Sequence, residues 1–75
     1  MAQQALEFHQ LDRRLAHLRA RHPARFRQLL ASLAEAGQQT PILVIQVQQR
    51  YLVIDGYQRI AALQQLRRDT VEALV

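Results

Sequence analysis

The apolar positions of this chain change period several times, and each change marks an element. Residues 1–10 fit two patterns at once. Leu6 and Phe8 alternate with Glu7 and His9, as in an edge strand, whereas Phe8, Leu11, Leu15 and Leu18 follow helical steps. The reading adopted is a helix over about Leu11–Arg21, with the preceding residues extended or frayed. His22-Pro23 ends it, because the residue before proline avoids the helical region while proline suits the first position of a new helix. Phe26, Leu29, Leu30 and Leu33 then form the apolar stripe of a second helix, and Gly37 stops it in the left-handed conformation that glycine adopts most easily.

Beyond the polar link Gln38-Gln39-Thr40 and Pro41, the run Ile42–Val47 is almost wholly apolar, which predicts a strand covered on both faces. Gln46–Arg50 holds no glycine or asparagine, so a looser loop is expected in place of a two-residue type I′ hairpin. Tyr51–Ile54 is a second β-type run. It is broken by Asp55-Gly56, and Ile60, Leu63 and Leu66 then recur at helical spacing. Polar Arg67–Thr70 precedes a third strand over Val71–Val75. The predicted class is α+β, in the order α-α-β-β-α-β, with helices packed on a small mixed sheet of about three strands. Residues 1–75 form one domain, 1–22 being a helical extension and 23–75 the core. The unit from Tyr51 to Val75 should cross over right-handed. A final strand at Val75 leaves an open edge, so either this is the front part of a longer protein or the edge pairs with another chain.

A chain of this length buries only about 60% of its unfolded surface, so its core is thin. It has no cysteine, which excludes disulfides and thiol chemistry. It has no apolar run approaching a membrane span and no signal-peptide pattern, so a cytoplasmic setting is expected and no membrane partner. The net charge is +4, and all ten basic residues are arginine, six of them between Arg13 and Arg27. Guanidinium forks suit phosphates, which favours a nucleic-acid or nucleotide partner. A lysine-free composition also arises from genome base composition alone. His9, His17 and His22 lack metal-ligand spacing, and no metal is expected.

The strand-to-helix junction at Asp55-Gly56 carries the chemistry. It aims the first helical N–H groups at one spot, where the helix dipole and Arg59 add positive charge, and this makes an anion-binding corner. From spacing alone the alternative is that Asp55 caps the helix and Arg59 is solvated. Tyr57 could stack on a base, but an aromatic at such a junction more often fills core.

The order of a leucine-rich helix, Gly37, a Pro41-Ile42 strand, a Tyr51 strand and the box Gly56-Tyr57-Gln58-Arg59 resembles the N-terminal domain of the ParB/sulfiredoxin superfamily, over Leu29–Val75. The resemblance implies a partition-protein-like module that binds CTP with Mg²⁺, or another phosphate ligand, through Gly56, Tyr57, Gln58 and Arg59, helped by Gln39, Thr40, Pro41 and Ile42. It also implies a DNA-associated, nucleoid-located protein that self-associates.

This chain departs from the family pattern in several places. Tyr57 and Gln58 replace the glutamate and first arginine of the family box, which removes half its phosphate-facing charge. Arg67 stands where a helix-ending glycine is common. The missing cysteine rules out sulfiredoxin chemistry. Arg13, Arg14, Arg21 and Arg25 are candidates for DNA-backbone contact, although a break at Pro23 would keep them off one helical face. Two other functions compete with the binding module. One is a nuclease- or kinase-type enzyme using Asp55. The other is a degenerate interaction domain that pairs through Val71–Val75 or the N-terminal helix.

Overall fold

The computed structural model describes residues 2–16 and 22–75. Strand β1 (Gln3–Glu7) is followed by a 3₁₀ turn at Phe8–Gln10 and by the short strand β2 (Leu11–Asp12). Then come helix α1 (Pro23–Ala36), strands β3 (Ile42–Val47) and β4 (Arg50–Asp55), helix α2 (Tyr57–Gln65) and strand β5 (Thr70–Leu74). The strands form one five-stranded mixed sheet in the order β1-β5-β3-β4-β2. The α+β class holds, with two more strands than the periodicity suggested.

Both extra strands lie near the N-terminus. The edge-strand reading of Leu6 was the correct one: β1 pairs antiparallel with β5, Leu6 opposite Val71. The helix expected from Leu11 does not begin there, because Leu11 and Asp12 pair in parallel with Tyr51 and Leu52. Tertiary pairing overrode the helical spacing of Phe8, Leu11 and Leu15, since Leu6 and Leu11 both enter the core from strands. Residues 13–16 of that expected helix form a turn, closed by the Ala16 N–H to Arg13 O at 3.0 Å, and its remainder, from His17 to Arg21, falls outside the described residues.

Three further expectations change. Val47 pairs with Arg50, so β3 and β4 are joined by only Gln48-Gln49, with Gln48 at φ 59. The tight turn is made without glycine or asparagine, and Gln48 bears the strain. Next, β5 lies parallel to β3 and β3 antiparallel to β4, so β4–α2–β5 links antiparallel strands and the handedness rule for parallel crossovers does not apply. Finally, Val71–Val75 is no open edge. β5 is flanked by β1 on one side and β3 on the other, and the Val75 N–H donates to Ala2 O at 2.9 Å. The proposed pairing through that edge is therefore withdrawn.

Both helices pack on one face of the sheet. Leu33 of α1 and Ile60, Ala62 and Leu63 of α2 meet Leu6, Leu11, Ile42, Val44, Val53, Val71 and Ala73 in a single core. The stripe of α1 is as expected, with Pro23 at the first turn and Gly37 at φ 74 closing it through its N–H to Leu33 O at 2.9 Å. Helix α2 ends in a Schellman motif: the N–H of Arg68 donates to Leu63 O and that of Arg67 to Gln64 O, both at 3.0 Å. Arg67 takes the left-handed position at φ 60, which carries steric strain in any residue with a Cβ. Near the N-terminus, Asp12 accepts the backbone N–H of Arg14 at 3.1 Å and its Nε at 2.9 Å. That Arg14 hydrogen bond is the main cause holding the Asp12 carboxyl below its ordinary pKa of 3.8.

Three measurements follow from this packing. Arg67→Gly should raise stability by about 0.5–1 kcal/mol, read as a higher thermal midpoint, because the relieved strain exceeds glycine's entropic penalty. Gly56→Ala should destabilise by at least about 2 kcal/mol, since a side chain there is strained by φ 111 and meets Ile42. The Asp12 carboxyl, followed by NMR, should titrate below 3.8. Its contribution to stability is thus present above the ordinary aspartate range and is lost only as pH falls through the depressed value.

Candidate phosphate-binding corner

β4 delivers the chain to the corner. Its Val53 is fully buried, and the strand ends at Asp55. Gly56 then forms the N-cap of α2 with φ 111 and ψ 19, a conformation that L side chains rarely adopt. It is buried against the start of β3. A Cβ on Gly56 would lie 2.7 Å from the Ile42 Cβ and 3.3 Å from its Cα, and nearer still to Cγ2. Glycine is what allows the helix to begin against this strand. The same contact joins the two motif segments, 39–42 and 56–59, which are distant in sequence.

The first intrahelical bond of α2 runs from the Ile60 N–H to Gly56 O at 3.0 Å. The amides of Tyr57, Gln58 and Arg59 therefore precede the helical ladder, and the N-cap itself, a glycine, has no side chain to cap them. The N-cap position is Gly56, and Asp55 stands one residue before it. The amides and the positive end of the helix dipole together favour an anion. Arg59 lies within this first turn, half-buried, and among the described residues its guanidinium has no side-chain hydrogen bond or ion pair. Tyr57 is half-buried against the core, and its hydroxyl donates to Val53 O at 2.8 Å. This is the core role expected from its place at the junction. Gln58 is also half-buried.

In the upstream segment, Gln39 and Thr40 are exposed and Pro41 is half-buried. Ile42 is fully buried, so its part in the corner is to support Gly56 from beneath. Gln38 was missed by sequence reasoning. Its Oε1 accepts the Glu72 N–H at 2.7 Å, and its Nε2 donates to Glu72 O and to Thr40 O, each at 2.9 Å. One side-chain amide thus adds a rung to β5 just before β3 begins and holds the 38–41 link in place. A glutamine in a polar link gives no sequence signal for such a role.

The described DNA-backbone candidates, Arg13, Arg14 and Arg25, share no helical face. Arg13 and Arg14 follow β2, where the Arg13 Nη1 donates to Gln64 Oε1 at 3.0 Å and Arg14 pairs with Asp12. Arg25 is exposed in the first turn of α1, and Arg21 lies outside the described residues. His9 is exposed and bonded to Glu7 at 2.7 Å. Among the described residues no group of His, Asp and Glu could hold a metal ion, and no helix is long and apolar enough to cross a membrane.

Comparison with known proteins places this corner in context. The family described as the ParB N-terminal domain matches residues 2–75. No curated protein sequence matches the chain. Among solved structures, sulfiredoxin from Arabidopsis thaliana is 27% identical with a TM-score of 0.89, over 99% of this chain and 83% of its own. The chromosome-partitioning protein ParB from Caulobacter crescentus, C-terminally truncated and complexed with CTP-γ-S, is 24% identical with a TM-score of 0.80. All of this chain is covered there, but only 44% of that one. A conserved hypothetical protein from Pyrococcus furiosus, 18% identical with a TM-score of 0.79, shares the fold over 99% of this chain and 32% of its own. With the match running through β1 and β2 as well as the Gly56 box, the chain belongs to the ParB N-terminal domain family.

Proposed function

We propose that this chain is a phosphate-binding module of a DNA-associated, partition-type protein, and that it takes the triphosphate of CTP or a related nucleotide at Gly56–Arg59. One observation carries the reading. The α2 N-terminus begins at a glycine N-cap, is pressed against the Pro41-Ile42 segment through Gly56, and has Arg59 in its first turn. Family membership supports it, as does the ParB structure with CTP-γ-S, which has the same fold. The backbone amides and the guanidinium suit phosphate oxygens. A Mg²⁺ ion would be carried by the nucleotide's phosphates and not by a cage of carboxylates, in keeping with the chemistry of that ion.

The module acts by binding. The box supplies one guanidinium and no carboxylate, which suits recognition of a phosphate better than its hydrolysis. Association with DNA, with a cytoplasmic and nucleoid location, belongs to the same proposal. Arg13, Arg14 and Arg25 would then contribute sequence-independent phosphate contacts from separate elements. A nuclease- or kinase-type reading has one observation in its favour, the position of Asp55 immediately before the corner. Asp55→Asn, assayed with plasmid DNA and with nucleotide, distinguishes the two.

Calorimetric titration with CTP and Mg²⁺ tests the proposal. The unaltered chain should bind, and Arg59→Ala should lose about 1.5–3 kcal/mol, the contribution of a charge-assisted contact and equivalent to roughly a tenfold to hundredfold weaker affinity. Absence of heat with every nucleoside triphosphate would remove the nucleotide reading.

A further inference from the structure

The apolar run of β3 was expected to be covered on both faces, and it is covered on one. Ile42 and Val44 are buried beneath the helices, while the alternate residues Leu43, Ile45 and Val47 are 36%, 55% and 40% exposed. On β4, Val53 is buried and its neighbour Ile54 is 37% exposed. Ile45 stands opposite the half-buried Leu52, and the half-buried Leu74 lies beside Leu43. No described helix packs on this outer face. The central strands therefore present a contiguous aliphatic surface, a feature that marks an interaction site when rimmed by polar groups.

The rim is charged, and its charges are placed diagonally. Alternation puts Glu72 on the outer face, since Val71 and Ala73 face the core. Glu72 lies on the strand flanking β3 on one side, one residue before the position that pairs with Ile42. Arg50 lies on the strand flanking β3 on the other side, opposite Val47 at the far end. By the same alternation from Val53, it too projects outward. The point midway between Glu72 and Arg50 falls on β3 between Leu43 and Ile45, at the centre of the aliphatic surface. One carboxylate oxygen of Glu72 is buried and has no hydrogen-bond partner. Arg50 gives one N–H to Leu11 O at 2.8 Å and has further donors to offer.

We propose that this outer sheet face is the contact surface for a second copy of the chain. A two-fold axis lying in the interface and passing through the Leu43–Ile45 centre superposes the aliphatic patches. It also brings Glu72 of each copy to Arg50 of the other. Such an isologous contact is self-complementary in both shape class and charge. It closes the open face as a sheet-on-sheet sandwich, the usual way in which a sheet buries a second apolar side. The surface gives a location to self-association and is separate from the Gly56–Arg59 corner.

Sedimentation equilibrium of the purified chain over a range of concentrations tests this. A monomer–dimer equilibrium is expected. Ile45→Glu should weaken it on the order of a hundredfold, because an unpaired carboxylate would be desolvated at the centre. Since Ile45 is more than half exposed, circular dichroism should report an unchanged fold. Glu72→Arg and Arg50→Glu should each weaken the dimer, and the double reversal should restore it. Arg59→Ala, which tests the nucleotide site, should leave the dimer intact. A chain that stays monomeric at every concentration would overturn the proposal, leaving another class of partner for this face. So would a dimer indifferent to Ile45→Glu, or a double reversal no better than the single ones.

Discussion

The close approach of Gly56 to Ile42 is the constraint on which the rest of this small structure depends. It sets where α2 can start, and so where Ile60, Ala62 and Leu63 enter the core. It fixes the start of β3 against the end of β4, which in turn carries the register of the central hairpin. It also puts a residue without a side chain at the N-cap of α2. A residue without a Cβ therefore serves the packing here, and under the proposed function the same methyl group that upset the packing would disturb the candidate corner as well.

Around that contact the chain manages a thin core by using both ends of the sequence. The N-terminal strand covers β5, and the short β2 extends β4, so Leu6 and Leu11 reach the same core as Leu33 and Ile60. Strain is accepted where connections are short. Gln48 and Arg67 both adopt positive φ, one to turn a hairpin in two residues and the other to end α2. Each costs of the order of 1 kcal/mol and is tolerated because the elements on either side are held by packing.

Sequence periodicity revealed the elements whose stabilising contacts are local. The stripe of Phe26, Leu29, Leu30 and Leu33 with Pro23 and Gly37 at its ends defined α1, and the switch of period at Gly56 defined the corner. Periodicity placed Leu11 and Asp12 in a helix and left the extended segment before them out of the sheet, because a strand of five residues and one of two carry too few positions to outweigh a chance helical spacing of Phe8, Leu11 and Leu15. Their conformation is decided by Val71 and Tyr51, far along the chain. The open face of β3 was hidden for a related reason: an unbroken aliphatic run reads the same whether one side or both are covered. At the corner, the glycine, the tyrosine and the arginine could be recognised in sequence. The part played by Gln38 could not, because it depends on reaching a main-chain position 34 residues away.

That glutamine has a consequence for motion. The Glu72 amide is shielded by a side-chain rotamer and not by a neighbouring strand. Its exposure to solvent is then governed by rotation about the Gln38 χ angles, which is fast and local, and not by separation of β3 from β5. The link leading to Pro41 can thus loosen from β5 at the cost of a few hydrogen bonds while the ladder stays zipped. The segment beside the candidate corner is thus tied down by one side chain, where the strands that follow it are held by backbone ladders.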